Sequence, residues 1–319
     1  MRDLRCVMRP IEEVRVMRPI EELREKQSLT LDQKIDLTMK SIETFYGVMN
    51  GKVYVSFSGG KDSTVLLHLV RSRHPEVPAV FMDTGLEYPE IIEFVKTIDN
   101  VEVLKPKLSF YEVLNKYGFP FPSKEQALYI RQYTTTKSDK LKDVRWNGKN
   151  GRFKISNKWK FLAGPSCPYK ISEKCCDILK KNPAHKYERL TGRKPFIGTM
   201  ATDSRVRERL YLRNGCVVFE KGKEKSTPLS WWTEKDVWDY IKKNNIPYSS
   251  IYDTGIDRTG CIYCLFGVVQ DKGNRFEVLK KLHPQLYKYC MENLKIGEFM
   301  EYVKDNTQKD RKDGKTNNA

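Results

Sequence analysis

Val53-Tyr54-Val55-Ser56-Phe57-Ser58-Gly59-Gly60-Lys61-Asp62-Ser63-Thr64-Val65-Leu66 sets a short apolar run, a glycine turn and the opening of a helix in immediate succession. Val53 to Phe57 reads as a strand. A helix from about Asp62 turns Val65, Leu66, Leu69 and Val70 inward. Two glycines let the backbone turn tightly and aim successive N–H groups at one point, and the helix tip adds roughly half a positive charge. Ser58 and Ser63 add hydroxyl donors, and Lys61 can meet a phosphate as a point charge. The spacing is not the Walker pattern, which places four residues between its glycines and ends in a Lys-Ser/Thr pair. A turn that merely needs glycine is the simpler alternative, but it requires neither the strand before nor the helix after.

Outward from this loop the pattern repeats. Ala79 to Met82 is a second strand, Ile91, Ile92, Val95 and Ile98 mark a second helix, and Val101 to Leu104 is a third strand. A fourth, Pro195 to Gly198, follows a long interruption. This alternation predicts an α/β fold with a doubly wound, mainly parallel five-stranded sheet. A basic insertion and a C-terminal region, read as helical/iron–sulfur on the cysteines taken up below, accompany it. Upstream, Thr30-Leu31-Asp32-Gln33 has the form of a capping box, and Ile35, Met39, Ile42, Tyr46 and Met49 form one helical face ended by Gly51. The expected organisation is a flexible arm over 1–29 and a nucleotide-binding domain over 30–267, with the insertion at about 119–174. A helical region over 268–303 and a disordered tail over 304–319 follow. The arm contains a tandem nonapeptide, Val7 to Arg15 and Val16 to Arg24, too short and too few for a repeat architecture.

The 319 residues carry 58 Lys/Arg against 41 Asp/Glu, a formal charge of +17, which favours polyanionic partners. Between Arg131 and Lys160 ten basic residues face two aspartates, interleaved with Tyr133, Trp146, Phe153 and Trp159. A solvated lysine surface is the plain alternative to a nucleic-acid face. No stretch approaches the ~20 apolar residues of a membrane span, and the first 26 residues alternate charge too often for a signal peptide. The expectation is a cytoplasmic protein with no membrane partner, whose eight cysteines are thiols or metal ligands rather than disulfides.

Ser58 to Ser63 resembles the pyrophosphatase loop (PP-loop) of the adenine nucleotide α-hydrolase superfamily. Three further stretches resemble the phosphoadenylylsulfate (PAPS) reductase family within it: Phe81 to Pro89, Pro228 to Trp238, and Ile251 to Gly255 leading to Gly260-Cys261. The resemblance covers about Lys52 to Gly267. It implies an adenine nucleotide, ATP or another, with Mg²⁺, bound by Ser58, Gly59, Gly60, Lys61, Asp62, Ser63, Asp83 and Gly85, with Lys61, Asp62 and Asp83 in catalytic roles. Asp83 would reach a ribose hydroxyl or a hydrated Mg²⁺, or simply cap the next helix. In Gly198 to Arg205 the sequence departs from the family, with Met200 for its arginine and Asp203 for its glutamate. Arg205 and Arg207 remain there as anion clamps.

Cys175-Cys176 and Cys261-Ile262-Tyr263-Cys264 make a two-plus-two set. Adjacent cysteines chelate one small ion poorly but reach different irons of a [4Fe-4S] cluster, while zinc and inert thiols are the alternatives. Cluster-bearing members of the family carry the same arrangement. Cys167 is a candidate replacement for one ligand, and Lys174 and Arg258 are candidates to offset the cluster's charge. The family's reductases use a catalytic cysteine in a Glu-Cys-Gly motif. The sequence has no such motif, and Cys290, between Tyr289 and Met291, stands as the cysteine after Cys264. These readings together predict ATP-dependent adenylation and sulfur transfer onto nucleic acid, with a sulfur donor such as a cysteine desulfurase or thioredoxin. A sulfonucleotide reductase and a non-catalytic nucleotide- or nucleic-acid-binding module are the alternatives.

Overall fold

The computed structural model describes residues 19–271 and 274–316, which divide into two compact units. The first comprises, among the described residues, 19–83, 88–105 and 183–259. It holds strands β1 (Val53–Phe57), β2 (Ala79–Met82), β3 (Val101–Leu104), β4 (Lys194–Ile197), β5 (Val217–Val218) and β6 (Lys225–Ser226). Its helices are α1 (Pro19–Ser28), α2 (Leu31–Val48), α3 (Lys61–Arg71), α4 (Pro89–Lys96), α8 (Asn182–Thr191), α9 (Arg205–Asn214) and α10 (Glu234–Lys243).

The sheet has six strands, not five, in the order β3-β2-β1-β4-β6-β5, all parallel except the β5–β6 pair. β5 and β6 are two residues each, and nothing in so short a run distinguishes a strand from a loop until its ladder partner is present. β1 lies between β2 and β4, with Phe57 opposite Phe81 and Ser56 opposite Ile197. The chain leaves β1 toward β2 and returns on the other side as β4. Their carboxyl ends therefore form the switch point at which open α/β sheets bind ligands.

Alternation along β1 divides its side chains between two covered faces. On one face Phe45 of α2 meets Phe196 edge-on at 5.1 Å and Phe57 meets Phe94 of α4 at 6.4 Å. On the other, Tyr54 and Val80 pack with Tyr187 of α8. Val65, Leu66, Leu69 and Val70 of α3 are at most 1% exposed, worth roughly 1.5–3 kcal/mol each, which anchors the helix that follows the glycine turn.

The second unit comprises, among the described residues, 84–87, 106–182, 260–271 and 274–316. Its helices are α5 (Phe110–Tyr117), α6 (Lys124–Thr135), α7 (Asp139–Trp146), α11 (Asn274–Leu282), α12 (Pro284–Glu292) and α13 (Ile296–Thr316). The insertion is thus wider than 119–174, and it shares a unit with the C-terminal helices rather than lying inside a 30–267 domain. Phe119, Phe121, Trp159, Tyr169 and Phe299 form its aromatic core, with Phe119 stacked on Phe299 at 4.4 Å.

Two terminal expectations change. Within the predicted arm, Pro19 to Ser28 is helical, with Leu23 1% exposed and Lys26 over the Trp231 ring. The first nonapeptide copy lies outside the described residues. In place of a disordered tail from 304, α13 continues to Thr316, propagated from a turn whose Phe299 and Val303 are buried.

Candidate functional site

The loop after β1 is built from its glycines. Gly59 sits at φ +71°, and a Cβ there would come within 2.7 Å of Ile91 Cγ2 and 2.9 Å of Val95 Cγ2. Glycine therefore serves both the left-handed turn and the close approach of α4. Gly60 is the N-cap of α3 and offers no side-chain cap. Its own N–H donates to Ser58 Oγ at 3.4 Å and that of Lys61 to Tyr252 Oη, hydroxyl contacts that an anion can replace. Ser58 N–H donates to Ser63 Oγ at 3.2 Å and Ser63 Oγ donates to Gly60 O at 2.8 Å, which locks the loop onto the first turn. Gly198, just past β4, faces Asp62 O at 3.0 Å from its would-be Cβ. A side chain there would push β4 away from the loop.

Lys61 is 4% exposed. Its backbone N–H donates to Tyr252 Oη at 2.9 Å. Its ammonium donates to Asp257 O at 2.9 Å and lies 3.1 Å from Glu234 and 3.7 Å from Asp62. Burial lowers its pKa, but Asp62, Glu234 and Tyr252 outweigh that and the net direction is upward, so the cation is retained. The anchor predicted to meet phosphate is thus held by Glu234, with Tyr252 and Thr259 beside Gly60. A nucleotide must displace these contacts. Tyr252, Thr259, Glu234 and Gly198 lie in or beside the stretches singled out in the sequence, yet no periodicity tells which of their side chains face the loop.

Asp62 carries the most informative atom. Its Oδ1 is buried with no hydrogen-bond partner among the described residues. Burial raises its pKa; Lys61 opposes this, while Asp203 and Glu234 push it further up. A buried, disfavoured carboxylate beside a helix tip, offset by the Lys61 ammonium at 3.7 Å but without a hydrogen bond to Oδ1, suits a ligand such as a hydrated Mg²⁺. A raised folded pKa means stability that is present below the unfolded carboxylate range and lost as pH rises through the folded value. Asp62→Asn is therefore expected to raise the melting temperature at neutral pH while weakening Mg²⁺-dependent nucleotide binding. The thermal gain should close as pH falls, and a melting curve at neutral and acid pH checks it.

Asp83 follows β2 at the same sheet edge, its N–H donating to Leu104 O at 2.9 Å and its carboxylate 3.5 Å from Lys105. It does not cap α4, whose N-cap is Tyr88. Gly85 belongs to the second unit, at φ +71° with open space around its would-be Cβ. Arg205 stands exposed in the first turn of α9, whereas Arg207 ion-pairs with Asp203, which also faces Arg258 at 3.6 Å. Arg258 thus serves Asp203 rather than the cysteines, and Lys174 lies 4.0 Å from Glu173.

In the second unit, Cys175, Cys176, Cys261 and Cys264 line one small cavity of about 20 Å³ with Leu86, Leu179 and Lys180. A π-helical turn, Asp177–Lys181, directly follows the cysteine pair and brings Leu179 and Lys180 to it. The pair is hydrogen-bonded, Cys175 Sγ to Cys176 Sγ at 3.9 Å. That bond draws Cys176 down to about 5 and raises Cys175; Lys124 and Lys180 further stabilise the Cys176 thiolate. Burial raises Cys261 and Cys264. Among the described residues no three ligand side chains are already drawn together as a metal site. The donor set fits a thiolate-bound group all the same: four cysteines lining one cavity, with Lys180 in its lining and Lys124 acting on Cys176, and the Cys175–Cys176 bond to be exchanged for ligation. Cys167 is absent from this cavity and lines another, of about 470 Å³, with Arg131 and Lys170.

No helix among the described residues is long and apolar enough to cross a membrane. Residues 52–149 and 142–265 match the phosphoadenosine phosphosulfate reductase domain. The uncharacterized protein MJ0973 of Methanocaldococcus jannaschii is 27% identical over 287 residues, 85% of this chain and 53% of its own length. The chain spans about half of that relative. The adenosine 5′-phosphosulfate reductase of Lysinibacillus sphaericus is 28% identical over 220 residues, 69% of this chain and 76% of that protein. The crystal structure of phosphoadenylyl-sulfate reductase from Candida auris aligns with TM-score 0.41 and 16% identity, over 76% of this chain and 93% of that one.

Proposed function

This chain belongs to the phosphoadenosine phosphosulfate reductase family, and from that premise we propose that it adenylates an oxygen of a nucleic acid with ATP and passes sulfur to the activated position. The observation that carries the reading is the loop itself: a left-handed glycine turn, an uncapped helix tip and a buried carboxylate oxygen without a hydrogen-bond partner. The tip N–H groups of Gly60, Lys61 and Asp62 would hold the β- and γ-phosphates, and Lys61 would leave Glu234 for them. Asp62 would hold Mg²⁺, which supplies neutralisation of the pyrophosphate charge. The acceptor oxygen attacks the α-phosphorus and pyrophosphate leaves. A persulfide sulfur from a desulfurase-type donor then displaces AMP, leaving donor and acceptor joined by a disulfide. A second donor thiol, or reduced thioredoxin, cleaves that bond, so the sulfur stays on the acceptor and the donor side leaves as a disulfide. Positioning and electrostatic stabilisation supply the rate. A [4Fe-4S] cluster would be held by Cys175, Cys176, Cys261 and Cys264, and it supplies a sulfur-binding or structural centre when bound.

The likeness to an adenosine 5′-phosphosulfate reductase favours a second reading, reduction of a sulfonucleotide to sulfite. Against it, Cys290 is fully buried and burial pushes its thiol up to about 12, so it is no nucleophile at neutral pH. The thiol would have to come from elsewhere. Two assays separate the readings: pyrophosphate release from ATP with and without RNA or DNA, and sulfite release from adenylylsulfate with reduced thioredoxin. Nucleic-acid-stimulated pyrophosphate is expected. Sulfite without pyrophosphate would install the reductase, and neither product would leave a binding module.

A further inference from the structure

Helices α6 and α7 and the turn after them present a surface that the phosphate-loop chemistry does not use. Lys137, Lys140, Lys142, Lys149, Arg152 and Lys158 are all exposed there. Between Lys137 and Lys160 only Asp139 and Asp143 oppose them.

The four aromatic side chains between Arg131 and Lys160 divide by role. Trp159 is buried at 8% exposure. Tyr133 stacks on Trp146 at 5.0 Å, and the Lys160 ammonium covers the Trp146 ring at 4.4 Å. Phe153 is 53% exposed, with no ring partner among the described residues. Its φ is +63°, a region that bulky side chains avoid. The turn is nonetheless well fastened. Lys149 and Arg152 exchange backbone hydrogen bonds at 2.9 and 3.0 Å, and Arg145 Nη1 donates to Phe153 O at 2.8 Å. An apolar ring is held in water, on a disfavoured backbone, in a stretch whose exposed cations have no ion-pair partner among the described residues. Neither the exposure nor the backbone conformation benefits the isolated chain.

We propose that this face of the insertion binds single-stranded nucleic acid, with phosphates on the exposed cations and one unstacked base on the Phe153 ring. The charge selects a polyanion, and the ring selects one whose bases are free to stack. In a duplex the bases already stack on each other, and only phosphates remain to be met. The inference rests on the proposed function for the class of acceptor, but binding requires no turnover.

The test uses the full chain and a labelled single strand of about a dozen nucleotides, read by fluorescence anisotropy across a salt series. Phe153→Ala is expected to weaken binding about ten- to a hundredfold without changing the salt slope, because no charge is lost. Phe153→Trp should restore affinity. Lys149→Gln with Arg152→Gln should instead flatten the slope, by about 1.4 for two phosphate contacts. Phe153→Gly relieves the backbone, so its melting temperature should equal or exceed that of the parent chain while its affinity falls. Unfolding is thereby removed as an explanation. Parent-like affinity in Phe153→Ala, equal affinity for a duplex of the same length, or tighter binding to phosphatidylserine vesicles would each overturn the proposal. Intact single-strand binding with no pyrophosphate release would sink the adenylation reading and leave this surface standing.

Discussion

Gly59→Ala is expected to weaken nucleotide binding by about a hundredfold or more and to destabilise the first unit by about 2–5 kcal/mol. Two independent effects add. An alanine at φ +71° pays roughly 1–2 kcal/mol for the left-handed conformation. Its methyl group must also displace Ile91 Cγ2 and Val95 Cγ2, short branched groups in a packed helix that cannot swing aside, for about another 1–3 kcal/mol. Any backbone shift that relieves the clash turns the N–H groups of Gly60 and Lys61 away from their common focus. Charge-assisted hydrogen bonds contribute about 1.5–3 kcal/mol each, so losing two lowers ATP affinity by about a hundredfold or more. Gly192→Ala is the control: it lies in the same unit at φ +70° with nothing within 4 Å, so it carries the backbone cost alone. Melting curves and equilibrium dialysis with ATP measure both. Unchanged ATP affinity in Gly59→Ala would mean that the phosphates bind elsewhere.

Cys261→Ser should strip the protein of iron and of its brown colour when purified anaerobically. Cys167→Ser should retain both, because Cys167 lines a different cavity from the other four. Removing one thiolate from a four-sulfur set leaves one iron without a protein sulfur, and a serine hydroxyl is a poor replacement at neutral pH. Iron and sulfide analysis of both variants beside the parent chain decides the matter. A colourless parent chain containing stoichiometric zinc would overturn the cluster, and iron loss in Cys167→Ser would mean that the ligand set is misassigned.

Legibility in the sequence varied with the range of the interactions concerned. The β1 strand, the Gly59-Gly60 turn and α3 are contiguous, and each is specified by a period or a backbone requirement that its own residues carry. The Thr30 capping box likewise formed as expected, with Gln33 closing it. β5 and β6 were not legible, because a two-residue strand exists only through its neighbour. Nor was the extent of α13 legible from its polar composition, since burial of Phe299 and Val303 starts a helix that the following residues only continue. The predicted insertion ended too early because its packing partners, α11 to α13, come a hundred residues later.

The sequence by itself determined the strand, glycine turn and helix of residues 53–71, the parallel α/β class and the cysteine inventory, since each depends on residues adjacent in the chain. Only the tertiary structure placed Cys175 and Cys176 beside Cys261 and Cys264, and set Lys61 against Asp257, 196 residues away. The reason is physical: local steric and hydrogen-bonding preferences decide an element, while contacts between distant residues depend on how whole elements pack. No spacing rule encodes that packing.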